Sequence, residues 1–120
     1  MRKVLAVDDS MTMRQLVSLS LRQAGYEVVE AADGLDAVAK LEAARFDLVV
    51  TDLYMPRLDG IGLIKRVRGL SSYRFTPILM LTTESDASRK AEGQAAGATG
   101  WIIKPFQPDQ LLKVVKRVLP

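Results

Sequence analysis

Charged and hydroxyl side chains follow four of the short apolar runs in this sequence. Asp8 and Asp9 follow the first run, Asp52 the third, Thr82 the fourth and Lys104 the fifth. Carboxylates within a few ångströms of one another repel, and a divalent cation relieves that repulsion. Oxygen ligands together with retained waters are the preference of Mg²⁺. If the fold brings these ends together, the three aspartates predict a magnesium site.

A carboxylate at such a site can also act as a nucleophile. Asp52 could accept a phosphoryl group as an acyl phosphate. Lys104 would then pair with the phosphoryl oxygens, and Thr82 could donate its hydroxyl to one of them. The alternative is that acids after strands are helix N-caps and turn formers, which explains Asp8-Asp9 alone equally well. Chance is a poor explanation for all of these positions together.

The composition excludes most other catalytic chemistry. The chain has 120 residues, a length that predicts one domain over residues 1–120. It contains no cysteine and no histidine. Thiol and imidazole catalysis and disulfides are therefore excluded, and any metal must be held by oxygen. If the phosphoryl donor to Asp52 is a phosphohistidine, that histidine must belong to another molecule, because this chain has none.

The charge pattern gives little sign of a nucleic-acid or membrane partner. The net charge is +3, and the basic residues are scattered, with one dense stretch at Lys65-Arg66-x-Arg68 that has no interleaved aromatic residues. We therefore expect no direct contact with nucleic acid. The apolar run after Met1-Arg2-Lys3 is too short for a signal peptide or a membrane span, so we expect a cytoplasmic protein without membrane contact.

The apolar runs predict strands, and helical periodicity separates them. Runs without alternation suit strands buried on both faces of a parallel sheet, and the second run, between Glu27 and Glu30, suits an edge. Five strands that alternate with five helices predict a doubly wound α/β sandwich whose site lies beyond the carboxyl ends of the strands. The runs are residues 4–7, 28–29, 48–50, 78–81 and 101–103.

Caps and turn residues mark the helices between these runs. Gly25 ends the first helix, Asp33-Gly34 precedes the second, Gly69 closes the third and Pro108 opens the last. The apolar residues of the segment 86–96 are only alanines, so we expect this helix to be the loosest element. The apolar positions of the other helices are Met13, Leu16, Val17, Leu21, Ala24, Val38, Leu41, Ile61, Ile64, Val67, Leu111, Val114, Val115 and Val118.

Several short motifs together resemble the receiver domains of two-component response regulators. They occur in the family's order over residues 2–119, and they are Asp8-Asp9, Asp52-x-Tyr54-Met55-Pro56, Asp59-Gly60, Thr82 and Lys104-Pro105-Phe106. The resemblance implies a flavodoxin-like, CheY-like fold with strand order 2-1-3-4-5. It also implies that Asp52 is the phosphorylated residue. Asp9 is then the magnesium ligand, with Asp8 helping through water and Asp52 and the Tyr54 backbone carbonyl as further ligands.

The resemblance also implies a conformational switch rather than an enzyme. Thr82 corresponds to the switch hydroxyl and Lys104 to the phosphate-pairing lysine, which is expected to precede a cis bond to Pro105. Trp101 corresponds to an aromatic residue whose rotamer reports phosphorylation, although tyrosine or phenylalanine is usual there. The alternative is that Trp101 is an ordinary core residue.

Within the family, the chain resembles the single-domain chemotaxis regulators of the CheY type. The resemblance lies in residues 8–14 and 81–84, and the chain ends one helix after Lys104, so we expect no DNA-binding domain. Ala98-Thr99-Gly100 replaces the paired acids of DNA-binding dimers, so we expect a monomer. A chemotaxis-type sensor histidine kinase is the expected donor. The expected target is a flagellar motor switch or another output protein, bound by the surface of the fourth helix, fifth strand and fifth helix.

Two residues are expected to tune the lifetime of the phosphorylated state. Glu84, two residues after Thr82, would position a water, and Tyr54, two residues after Asp52, would obstruct it. We expect obstruction to dominate and the lifetime to be long for a chemotaxis regulator. The alternative is that the Tyr54 ring points outward and only its backbone carbonyl matters.

Other functions fit the residues less well. A flavin-binding flavodoxin needs a hydroxyl-rich anion cradle after the first strand, where this chain has two aspartates. A haloacid-dehalogenase-type phosphatase needs a second acid at Tyr54, and Gly60-x-Gly62 lacks the third glycine of the dinucleotide fingerprint. A phosphorylation-independent interaction module remains the alternative function, but it would leave the acids, the threonine and the lysine without a purpose.

Overall fold

Five strands alternate with five helices in the computed structural model, which describes residues 1–83 and 87–120. A short 3₁₀ turn, Ser71–Tyr73, precedes the fourth strand. The strands are β1 Lys3–Val7, β2 Glu27–Ala31, β3 Leu48–Asp52, β4 Ile78–Thr83 and β5 Gly100–Lys104. The helices are α1 Met11–Gln23, α2 Gly34–Ala43, α3 Gly60–Gly69, α4 Ala87–Ala96 and α5 Pro108–Val118.

All five strands form one parallel sheet with the order β2-β1-β3-β4-β5. This confirms the predicted fold class and strand order, and it confirms that the second apolar run is an edge strand. Because the strands are parallel, the carboxyl ends of β1, β3, β4 and β5 lie at one edge of the sheet. Asp8, Asp9, Asp52, Thr82 and Lys104 lie at or just beyond these ends.

The sheet separates two apolar cores. Leu5, Val49 and Met80 point to one face, where α2 and α3 pack. Ala6, Val50 and Leu81 point to the other face, where α1 and α5 pack. Burial on both faces is the reason that these strands read as unbroken apolar runs rather than as alternating ones.

The helices begin and end at residues whose chemistry suits those positions. Ser10, Asp33 and Asp59 are N-caps, and each side chain accepts a hydrogen bond from a backbone N–H in the first turn of α1, α2 or α3. Gly25 follows α1 at a φ of 97°, a left-handed conformation that glycine adopts without strain. α3 ends at Gly69 and α5 begins at Pro108, as the sequence predicts.

Two features of the fold differ from the sequence-based expectation. The sequence gives no sign of the 3₁₀ turn, where Tyr73 is buried with its hydroxyl 2.9 Å from the Leu41 carbonyl and 2.6 Å from the Ala44 carbonyl. Ile103 belongs to an apolar run but is 45% exposed, because β5 is the other edge strand. Among the described residues, no helix is long and apolar enough to cross a membrane.

α4 approaches the sheet through small residues, as its alanine-rich sequence predicts. Gly93 is buried, and a Cβ atom there would lie 3.3 Å from the Met80 methyl carbon and 3.7 Å from the Trp101 ring. Ala96 packs against the core on the same face of the sheet. Few large side chains therefore anchor α4, and its being the loosest element stays a prediction.

Candidate functional site

Three carboxylates meet at the carboxyl ends of β1 and β3. Asp8 and Asp9 directly follow β1, and Asp52 is the last residue of β3. Asp8 and Asp52 are buried, with 2% and 8% of their surface exposed, whereas Asp9 is exposed. One carboxylate oxygen from each of the three residues lies within 4.8 Å of the others. The arrangement is the acidic cluster that the sequence predicts.

Lys104, the last residue of β5, points its ammonium group into this cluster. Its Nζ donates a hydrogen bond to Asp52 Oδ1 at 2.8 Å and lies 3.6 Å from Asp8 Oδ2. Asp52 Oδ1 also accepts a hydrogen bond from the backbone N–H of Leu53 at 2.9 Å. The peptide bond between Lys104 and Pro105 is cis, as expected.

The cluster holds more negative charge than Lys104 neutralises. Burial, above all, raises the pKa of Asp8, and the nearby charges of Asp52 and Asp9 act in the same direction. A hydrogen bond from the Ser10 backbone and the charge of Lys104 oppose that shift. Asp8 Oδ2 is buried and accepts no hydrogen bond from any described residue. An enclosed carboxylate oxygen without a donor, beside two further carboxylates, fits a hard divalent cation such as Mg²⁺.

Thr82 and Trp101 lie on one face of the sheet. Thr82 is buried near the end of β4, and its hydroxyl donates to the Thr83 carbonyl at 3.3 Å. β4 and β5 pair so that Met80 lies opposite Trp101 and Thr82 lies opposite Ile103. Thr82 and Trp101 are therefore diagonal neighbours, because alternate residues share a face.

Trp101 combines features of a core residue and a surface residue. It packs against the core on the face of α2 and α3, but part of its surface is exposed. The ammonium group of Lys90, in α4, lies 4.6 Å from the centre of a Trp101 ring. An aromatic side chain in this position can respond to a movement of either β4 or α4.

Tyr54 lies on the loop after β3, and 54% of its surface is exposed. The guanidinium carbon of Arg89, in the first turn of α4, lies 5.8 Å from the centre of the Tyr54 ring. Sequence reasoning singled out Tyr54 but missed Arg89, because a contact across 35 residues of sequence leaves no local pattern. Glu84, which the sequence analysis predicts to position the attacking water, lies outside the described residues.

The sequence profile of the response regulator receiver domain matches residues 4–116. The chain belongs to this family. Receiver domains bind Mg²⁺ at an acidic pocket, and those of chemotaxis regulators receive phosphoryl groups from histidine kinases and act on output proteins. Membership therefore makes this receiver domain a signalling switch of a two-component system.

Named relatives include chemotaxis regulators. The chain is 40% identical to the chemotaxis protein CheY1 of Helicobacter pylori, over 98% of this chain and 96% of that protein. It is 57% identical to the solved structure of the chemotaxis response regulator CheY4 of Vibrio cholerae, with a TM-score of 0.95 and 99% of both chains covered. A receiver domain of the sensor histidine kinase PA1611 of Pseudomonas aeruginosa, solved with a magnesium ion in its active-site cleft, is 29% identical over 97% of this chain and 95% of that one, with a TM-score of 0.89.

Proposed function

We propose that this receiver domain accepts a phosphoryl group on Asp52 from the phosphohistidine of a sensor histidine kinase. In the transfer, the bond from phosphorus to the histidine nitrogen breaks and a bond to an Asp52 carboxylate oxygen forms. The observation that carries the proposal is the placement of Asp52 between Lys104 and two further aspartates, all at one edge of the sheet. The supplying histidine must belong to the partner, because this chain has none.

Magnesium would be held by Asp8, Asp9 and Asp52 together with the backbone carbonyl of Tyr54. When bound, the ion offsets negative charge on the phosphoryl oxygens. Lys104 offsets the same charge from the opposite side, and the hydroxyl of Thr82 donates to a phosphoryl oxygen. The enclosed Asp8 Oδ2, which lacks a donor among the described residues, supports the metal assignment.

Phosphorylation would be read out on the surface formed by α4, β5 and α5. A groove of about 340 Å³ lies between β5 and α5, in one part of this surface, and the residues that line it include Trp101, Phe106 and Val114. Thr82 would move toward the phosphoryl group and leave space for Trp101, and α4, with its small contacts, would shift.

The similarity to CheY1 and CheY4 supports a role in chemotaxis or motility. The donor would be a chemotaxis-type kinase, and the target would be a motor switch or another output protein. We propose that residues 1–120 form one receiver domain, which works as a cytoplasmic monomer without nucleic-acid contact.

The decisive experiment measures phosphorylation by intact mass. The purified chain is incubated with acetyl phosphate and Mg²⁺, and we expect the mass of one phosphoryl group, which Asp52→Asn does not gain. Asp9→Ala should bind Mg²⁺ more weakly in a titration followed by Trp101 fluorescence. A parent chain that gains no mass, or an Asp52→Asn variant that gains the same mass, would contradict the proposal.

A second measurement addresses the target. Beryllofluoride, a phosphoryl mimic, is added with Mg²⁺ to the immobilised chain, and bound proteins are identified with and without it. Capture that depends on the mimic and disappears in Asp52→Asn supports the switch. Equal capture in both conditions favours an interaction module that is independent of phosphorylation.

A further inference from the structure

Arg89 reaches from the first turn of α4 to the loop that carries Tyr54. Its Nη2 lies 2.8 Å from Asp59 Oδ2, and its Nη1 lies 3.0 Å from Glu92 Oε2. The guanidinium carbon lies 5.8 Å from the centre of the Tyr54 ring, which is within the range of a cation–π contact. One side chain thus pairs with two carboxylates and with an aromatic ring.

Asp59, one of the two carboxylates that pair with Arg89, belongs to a rigid part of the site. The other oxygen of Asp59 accepts a hydrogen bond from the Gly62 backbone at 2.7 Å, as the N-cap of α3. The adjacent Gly60 packs so closely under the loop that a Cβ atom there would lie 2.4 Å from the carbonyl oxygen of Asp52. The guanidinium is therefore fixed relative to Asp52 through Asp59.

The charge on Arg89 persists at any working pH. Burial acts to lower the pKa of Arg89, but the hydrogen bond to Asp59 and the charges of Glu92 and Asp59 outweigh that effect and raise the pKa. The planar guanidinium can pair with carboxylates and lie near a ring at the same time, which an ammonium group does less well. Arg89 is therefore suited to hold an aromatic side chain.

The Tyr54 ring is the side chain that such a contact would restrain. More than half of its surface is exposed, and an exposed tyrosine ordinarily samples several rotamers. Tyr54 follows Asp52 by two residues, so a change of its rotamer changes the distance between the ring and the Asp52 carboxylate. A cation–π contact at an exposed site changes a rotamer equilibrium about two- to fivefold.

We propose that Arg89 is a positioning residue for the loss of the phosphoryl group from Asp52, because it holds the Tyr54 ring beside the attacking water's approach and so slows hydrolysis. In this step the water oxygen bonds to phosphorus, the bond from phosphorus to Asp52 breaks, and inorganic phosphate leaves with the carboxylate restored. The water must lie in line with the breaking bond. This proposal rests on the proposed function of Asp52.

The test measures the first-order loss of phosphoryl mass from Asp52. The full chain is phosphorylated with acetyl phosphate and Mg²⁺, freed of donor by rapid desalting, and followed by intact mass. We expect Arg89→Ala to lose the phosphoryl group about two- to fivefold faster than the parent. Asp59→Asn keeps the N-cap acceptor but weakens the ion pair, and should also be faster. The matched control Gln94→Ala, at an exposed position of α4, should equal the parent.

A double-mutant cycle separates positioning from a general structural role. Tyr54→Asn should itself hydrolyse faster, and adding Arg89→Ala to it should have no further effect, because the ring is gone. A merely structural role of Arg89 would instead change the rate equally in both backgrounds. That equality, or an Arg89→Ala rate equal to that of the parent, would overturn the proposal.

The same data distinguish a variant that is merely less stable, a failure of the function proposed for Asp52, and a failure of the role proposed for Arg89. If Arg89→Ala has a lower urea midpoint than the parent, the uncharged variant Arg89→Gln replaces it, and faster hydrolysis at an unchanged midpoint supports the proposal while an unchanged rate overturns it. If the parent gains no phosphoryl group at the start, the function proposed for Asp52 fails, and this inference falls with it. A parent that is phosphorylated normally, with variants of unchanged rate, overturns only the role of Arg89.

Discussion

The ammonium group of Lys104 lies 2.8 Å from Asp52 Oδ1, and the two residues are 52 positions apart in the sequence. The sheet creates this pair, because β3 and β5 both end at the same edge, on either side of β4. The same ammonium group lies 3.6 Å from Asp8 Oδ2. Within the described part of the chain, Lys104 is thus the cation that lies against two of the three clustered carboxylates.

Removal of Lys104 should destabilise the protein when no divalent cation is present. Lys104→Met keeps most of the apolar stem but leaves Asp8 and Asp52 facing each other without a counter-charge. We expect the free energy of unfolding at pH 7 to fall by about 1–3 kcal/mol, as for a buried charged group that loses its partner. Urea denaturation followed by circular dichroism measures this change. Mg²⁺ should recover part of the loss, and Lys113→Met, at an exposed position of α5, is the control.

Removal of the Asp8 charge should have the opposite effect and stabilise the folded protein when no divalent cation is present. Burial and neighbouring carboxylates raise the pKa of Asp8, so the ionised form of this carboxyl group is less favourable in the folded protein than in the unfolded chain. Asp8→Asn keeps an oxygen for the Ser10 N–H, and we expect it to raise the free energy of unfolding by about 1–2 kcal/mol without Mg²⁺. The gain should shrink as the pH falls and the parent Asp8 becomes protonated. A variant that is less stable than the parent at pH 7 would contradict this reasoning.

The sequence is sufficient to predict the fold and the acidic cluster because both depend on local patterns. β3 is an unbroken apolar run, so it must be buried on both faces, and Asp52 stands where that run ends. Parallel strands then carry Asp52 and the residues after β1 to one edge of the sheet. No knowledge of individual side-chain rotamers is needed for that step.

Other parts of the site could not be predicted, because they depend on where long side chains end. The contact of Arg89 with Tyr54 and Asp59 joins α4 to the segment between β3 and α3, and it has no periodicity to reveal it. Outside the site, the buried hydroxyl of Tyr73 beside two carbonyls of the α2 region is a further case. The roles of Thr82 and Trp101 were inferred from family resemblance, and the structure adds that they share a face of the sheet.

Gly60 should be intolerant of any side chain. A Cβ atom at this position would lie 2.4 Å from the Asp52 carbonyl oxygen and 3.0 Å from the Leu53 Cα atom, and both of these are backbone atoms that cannot move aside cheaply. We expect Gly60→Ala to lower the free energy of unfolding by about 2–4 kcal/mol. Gly69→Ala, where a Cβ atom would meet nothing within 4 Å, is the matched control and should be neutral or slightly stabilising. Equal effects of the two variants in thermal unfolding would contradict the close packing at Gly60.

Asp33 should contribute stability that disappears in acid. The hydrogen bond from the Asp36 backbone, and then the hydrogen bond and charge of Arg57, lower the pKa of Asp33. A lowered pKa means that this stability is fully present above the ordinary aspartate pKa and is lost as the pH falls through the folded-state value. Asp33→Asn keeps the cap, and we expect a loss of about 0.2–1 kcal/mol at pH 7 that shrinks as the pH falls below the ordinary aspartate pKa. Urea unfolding across this range measures it, with the exposed Glu42→Gln as control.

Trp101 fluorescence should report the state of the Asp52 site through Thr82. Trp101 is the single tryptophan of the chain, so its emission can be assigned without ambiguity. Thr82 is its diagonal neighbour on the sheet, and movement of Thr82 toward a phosphoryl group would free space into which the ring can turn. We therefore expect beryllofluoride with Mg²⁺ to change the emission of the parent but not that of Asp52→Asn. The change should be smaller in Thr82→Ala, because the hydroxyl that would be attracted to the phosphoryl group is absent.

The control is Lys90→Ala, which removes the ammonium group near the ring. It should alter the starting emission but keep the response, since Lys90 plays no part in the step from Asp52 to Thr82. A Thr82→Ala response as large as that of the parent would mean that Trp101 senses the site by another route, such as a displacement of α4.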